Sequence, residues 1–255
     1  DGFVLDIDSS VASDSYNVRN QGVLNARGAT VDFVSIQTRA VANLNATTVT
    51  NGMRIYNSFA NIKDSVINGP SFHNYIGVEA SVADASGEPN GSVVTVEGSS
   101  ITGAYAGVLA GPSSVVTLSN STVKGTGGIG SREFGEGVRI ASGELTATQG
   151  SFIEGATQGV RIIEERPLVF YKTNKLVIDD SSVRGLNGSA IFVETALIDT
   201  DISIRNGADL VSSNNTLLEV HGSGLTNFAV DNSKIRGNLI ADSTTNLNVT
   251  LQNNA

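Results

Sequence analysis

The residues of this 255-residue chain best suited to chemistry are acids standing in close pairs. Asp179 and Asp180 adjoin in "IDDSSVRG", and Asp199 and Asp201 flank one residue in "IDTDISI". His221 ("VHGSG") and Arg236 ("KIRG") follow. Two carboxyl groups on one face can cleave a glycosidic bond: one protonates the leaving oxygen while the other attacks or activates water. A double Asp after a strand has a plainer role, capping a turn by accepting bonds from backbone N–H groups, and that role is the stronger of the two. The other acids are scattered, so a calcium-assisted reaction lacks its clustered ligands. His73 and His221 stand too far apart in the repeat to share a metal readily. There is no Cys, no Gly-x-Ser-x-Gly elbow and no phosphate-cradling loop. The expectation is no catalytic residue, no metal and no cofactor.

Binding residues are a different matter. The segment "IEERPLVFYKTN" (residues 163–174) carries Arg166 and then Leu168, Val169, Phe170 and Tyr171, out of phase with the pattern around them. A second segment, "GPSFHNY", places Phe72, His73 and Tyr75 before Ile76. Aromatic and apolar side chains gathered outside a core commonly mark a contact surface. They can equally fold back and shield a neighbouring sheet, and both readings stand for both segments.

The elements that would position these residues follow from a repeated pattern. It runs apolar, any, apolar, any, any, Ser/Thr, any, apolar, any, Gly/Asn. Val94-Val96-Ser99-Ile101-Gly103 and Val116-Leu118-Ser121-Val123-Gly125 fit it, as do sets beginning at Ala42, Ala60, Leu176 and Phe228. Copies near Leu145 and Ile202 carry about one extra residue, which a bulge would absorb. A second line follows each first one, a small residue and then two apolar residues two apart: "GMRI" at Gly52, "GVEA" at Gly77, "GVRI" at Gly137 and again at Gly159. "GVLN" at Gly22 is expected to start that second series.

Apolar positions two apart mean strands, and the Gly, Asn and Ser between them mean turns. Two-residue hairpin signals are scarce, so the copies stack in parallel. The expected fold is all-β, a right-handed parallel β-helix of about nine or ten coils and a rod roughly 45 Å long. No linker interrupts the repeats, so residues 1–255 form a single unit. Side loops leave it near residues 70–76, 84–91, 125–137 and 163–174.

Composition limits the partners. The formal net charge is -9 with no offsetting basic run, which disfavours nucleic acid and anionic lipid. No apolar run is long enough to span a membrane, so direct membrane insertion by this segment is not expected. The absence of Cys fits the cytosol or a cell surface reached through an oxidising compartment.

The two-line pattern resembles the passenger domain of pertactin-like autotransporters, the secreted β-helices of Gram-negative bacteria. The resemblance is clearest in "ANLNATTVTNGMRIYNSFANIKDSVING" and from "GELTATQGSFIEG" to the end of the chain. It implies a pectin-lyase-like solenoid, export through the outer membrane by a C-terminal barrel, and display at the cell surface or release. It implies a virulence role as an adhesin or host-factor-binding scaffold, with a host protein or cell-surface receptor as partner, or self-association between cells. An Arg-Gly-Asp tripeptide is absent, so integrin-type attachment does not carry over. Passengers normally continue into further coils and a barrel, so the expectation is a fragment with an unpaired edge at its last coil. The order Asp-Asp, His-Gly, Ile-Arg-Gly is superficially similar to the polygalacturonases. That family's upstream Asn-x-Asp and its His between two glycines are missing, which leaves a polysaccharide-cleaving enzyme as the alternative.

Overall fold

The computed structural model describes residues 2–9, 14–69, 76–82, 91–127, 134–164 and 173–255. Within them the chain winds through three sheets in turn. The first holds eleven strands, from Val4–Asp8 to Asn246–Gln252. The second holds eight, from Thr30–Val31 to Asp209–Ser212, and the third ten, from Tyr16–Val18 to Asn238–Ala241. Each strand inside a sheet pairs with its counterpart one coil earlier and one coil later, and the pairings are parallel. This is the right-handed parallel β-helix that the repeats predict, with ten coils counted on the third sheet.

The alternating pattern fixes which side chains face in. Leu24, Ala42, Ala60, Val94, Val116, Leu145 and Leu176 stack as one inward row of the first sheet. Val49, Ile67, Ile101, Val123, Ile153 and Val183 make the row of the second sheet, all fully buried. A strand of only four or five residues gains little alone. Stacked, each buried aliphatic side chain contributes about 1.5–3 kcal/mol by leaving water.

Two of the three corners are closed by hydroxyl ladders. Between the first and second sheets, the Thr47 N–H donates to Ser65 Oγ (3.1 Å), Ser65 N–H to Ser99 Oγ (3.0 Å) and Ser99 N–H to Ser121 Oγ (3.2 Å). Each hydroxyl donates in turn within its own coil, as Ser99 Oγ does to the Glu97 carbonyl at 2.8 Å. This is what the Ser/Thr of the repeat does: it satisfies a buried backbone group where the chain bends. The residue before it takes a left-handed conformation, as in Asp64 (φ 48°), Gly98 (φ 57°) and Asn120 (φ 47°). Between the third and first sheets a second ladder runs through Ser58, Ser92 and Ser114.

The third corner, between the second and third sheets, is built from paired glycines instead. A Cβ on Gly155 would lie 1.8 Å from the Gln158 carbonyl oxygen, and one on Gly159 would lie 2.5 Å from a Val183 methyl. No side chain fits there, so these turns require glycine.

Two details of the sequence reading change. "GVLN" at Gly22 starts a strand of the first sheet, Val23–Arg27, whose Leu24 and Ala26 lie in register with Ala42 and Leu44. The partner strand in the third sheet is Val34–Gln37. The extra residue after Leu145 makes no bulge in a strand. It widens the corner, where Gln149 and Gly150 both take positive φ, and Asn206 and Gly207 repeat the device near Ile202.

Candidate binding site at the third corner

The structure separates the acids that looked most suited to catalysis. Asp179 ends a strand of the first sheet and accepts from Arg205 Nε at 2.8 Å and from the Asn206 carboxamide at 2.7 Å. Asp180 is the left-handed corner residue of its coil, with φ 46°. Asp201 faces out from the first sheet and accepts from the Asn227 carboxamide at 2.8 Å, while Asp199 accepts from the Leu225 N–H at 3.2 Å. His221 belongs to the third sheet, and Arg236 is exposed between strands. These groups do not converge. Asp179, Asp199 and Asp201 tie coil to coil, and Asp179 does so by accepting from side chains of the next coil rather than from the backbone N–H groups expected of a turn cap. The binding residues proposed from the sequence, Phe72, His73, Tyr75, Arg166, Leu168, Val169, Phe170 and Tyr171, lie outside the described residues. So do most of the four side-loop segments; the described ends of the last are anchored, with Ser142 N–H donating to Asn174 Oδ1 at 2.8 Å.

A site that the sequence reading did not single out stands on the outer side of the third sheet. Arg139 and Arg161 occupy the same outward position on successive coils, in register with each other. Glu136 opens the strand Glu136–Ala141, which is buried along its whole length, and Glu136 has no exposure. Its Oε1 accepts from Arg139 Nη2 at 2.5 Å and faces Arg161 Nη1 at 3.5 Å. The other end of the Arg161 guanidinium meets Glu194 Oε2 at 3.0 Å. Two guanidinium groups and two carboxylates thus alternate, and their formal charges cancel.

Aromatic rings frame this group. The Arg139 guanidinium stacks 4.2 Å from the Tyr105 ring centroid and bonds the Tyr105 hydroxyl, and Tyr105 lies 4.3 Å from Phe134. One coil beyond Arg161, Phe192 receives its guanidinium at 5.5 Å. Phe192 in turn lies 5.3 Å from the His221 ring. His221 stands between Glu219 (3.0 Å) and Asp242 (3.3 Å). The hydrogen bond to Glu219 is the main cause that raises the His221 pKa above its ordinary value; desolvation opposes it, and Asp242 adds to it. Asp242 is held below the usual carboxylate range by bonds from Thr244 and then Thr245.

Charge balance, aromatic faces and forked donors suit recognition of a polar ligand better than acid–base turnover. Among the described residues no group of three or more His, Asp or Glu could hold a metal ion.

The fold defines a parallel β-helix protein. No family model matches the sequence, and no curated protein matches it. Among solved structures, the Agl-KA catalytic domain is similar with a TM-score of 0.32 at 10% identity, over 97% of this chain and 62% of that one. The chain therefore spans less than two thirds of that structure's length, and a likeness of that degree carries no argument about function.

Proposed function

We propose that the chain is part of a surface-displayed β-helix of the autotransporter-passenger kind, exported across the outer membrane of a Gram-negative bacterium. There it holds a host protein or cell-surface receptor and works as an adhesin. The observation that carries the choice of binding over cleavage is the engagement of Asp179 and Asp201 in bonds between coils, with Asp180 set at a corner. Acids committed to holding the rod together are poor candidates for proton transfer. A rigid rod sets side segments at fixed heights, which favours recognition by several weak contacts at once. Segment 166–174 is the first such contact, through Phe170 and Tyr171, and Phe72, His73 and Tyr75 are the second.

The test is a pull-down of host serum and matrix proteins with the isolated chain and with a variant carrying Phe170→Ser and Tyr171→Ser. The double variant keeps its far-ultraviolet circular dichroism and loses most of the captured partner. Equal capture by both proteins would reject the assignment.

A further inference from the structure

One outward row of the first sheet is apolar where solvated side chains are the rule. Val4, Val23, Val41, Phe59, Val93 and Val115 stand in register on six successive coils. Val4, Phe59 and Val93 are 63%, 49% and 40% exposed, and the other three are half-buried. The row then ends, because the next two positions are Glu144 and Lys175. Apolar side chains aligned in this way on a surface mark a contact site.

Beside it runs a row of carboxamides. The Asn25 side chain donates to Asp6 Oδ1, Asn43 to Asn25, Asn61 to Asn43, and Thr95 Oγ1 to Asn61 Oδ1, each at 2.8 Å. These bonds hold the side chains before any partner arrives, so docking has little left to order. A third row, at the far end of the same strands, runs Asp8, Arg27, Asn45, Lys63, Glu97 and Ser119. Over the three rows the acids Asp6, Asp8 and Glu97 are nearly matched by Arg27 and Lys63, whereas the whole chain carries -9. Copies of the chain repel one another in general, and on this face that repulsion is nearly absent.

Rows that repeat about every 4.8 Å match a surface built with the same repeat, which a second copy supplies. Two orientations lay first sheet on first sheet about a two-fold axis. With the rods parallel, the apolar row of each copy lies on the charged row of the other, and charge is buried against aliphatic side chains. With the rods antiparallel, each row lies on itself in reverse order. Val41 then faces Phe59 of the second copy, Val23 faces Val93, Asn43 faces Asn61, and Arg27 faces Glu97.

We propose that two copies of the chain pair antiparallel through the first six coils of the first sheet. Six coils of about 4.8 Å and five-residue strands of about 3.3 Å per residue give a footprint of roughly 450 Å² per copy. Stable interfaces bury about 800 Å² per partner, so this pairing is weak and forms as concentration rises. It concerns the chain alone and stands apart from host binding.

Sedimentation equilibrium of the isolated chain, from the micromolar into the millimolar range, tests this. The average mass rises from one chain towards two. Phe59→Lys, at an outward position, keeps the circular dichroism spectrum and weakens pairing at least tenfold. Val93→Lys does the same and carries the test if Phe59→Lys fails to fold. Arg27→Glu sets two acids opposite each other and weakens pairing, and adding Glu97→Arg to it restores the affinity. A chain that remains a monomer, a dimer that Phe59→Lys and Val93→Lys leave intact, or an exchange that restores nothing overturns the inference. Host-protein capture is read separately in the pull-down, so loss of pairing leaves that reading standing.

Discussion

Glu136 is a buried charge on which local stability depends. It has no exposure and is shared by two guanidinium groups. Removing it leaves Arg139 buried beside a like charge. Breaking one partner out of a buried ion pair costs about 3–5 kcal/mol. Glu136→Ala should therefore lower the urea midpoint strongly. A variant with unchanged stability would mean that the guanidiniums find other partners. The sequence concealed this residue because outward positions of a β-helix normally carry solvated charge. One signal was available: "GVRI" occurs at both Gly137 and Gly159, which places two arginines in register on neighbouring coils. By contrast, Asp180 was legible as a corner residue, since Asp and Asn tolerate the left-handed conformation that its φ of 46° shows.

At the scale of the strand and the coil, the hydroxyl ladders explain why the repeat specifies Ser or Thr at one fixed place. The same regularity accounts for the misplacement of "GVLN". A Gly followed by alternating apolar residues opens strands of the third sheet, and Gly22 happens to open one of the first. Only the register with Ala42 and Leu44 distinguishes the two. Extra corner residues were mistaken for bulges because length alone cannot tell a wider turn from a kinked strand.

The last coil of the third sheet, Asn238–Ala241, is tied back by His221 through Asp242. The folded His221 pKa lies above its ordinary value, so the folded state binds the proton more tightly than the unfolded chain does. This contribution is complete below the unfolded pKa of about 6.5 and is lost as pH rises through the raised folded value. Asp242 behaves oppositely: its lowered pKa gives stability that is present above about 3.8 and lost as pH falls through the folded value. Glu219 reinforces the His221 charge, while Glu194, in register with His221 one coil earlier, is paired with Arg161. Amide exchange of residues 238–241 should therefore quicken, beyond the intrinsic effect of pH, as pH rises from about 6.5 through the raised folded value. His221→Asn should abolish that dependence. Protection that is flat across the range in the parent chain would show that the tie contributes nothing.

The whole molecule is a stack in which each coil covers the apolar rows of the one before. That architecture was legible from the two-residue spacing and the Gly and Ser punctuation, because a parallel solenoid writes the same constraint into every coil. Its function was less so. Outer faces obey no packing rule, and the buried ion pairs arise where successive coils bring Glu136 and Arg161, far apart along the chain, to one corner. At this scale the bonds between coils engage Asp179 and Asp201, the engagement on which the proposal of binding over cleavage is based.

The central claim is that this rod retains its partner without turning it over. It is tested most directly by incubating the chain with a panel of pectic and host polysaccharides while following bound protein and newly formed sugar ends together. The account predicts no new ends with any polysaccharide, whether or not it is retained. Release of product, abolished by Asp180→Asn, would contradict it.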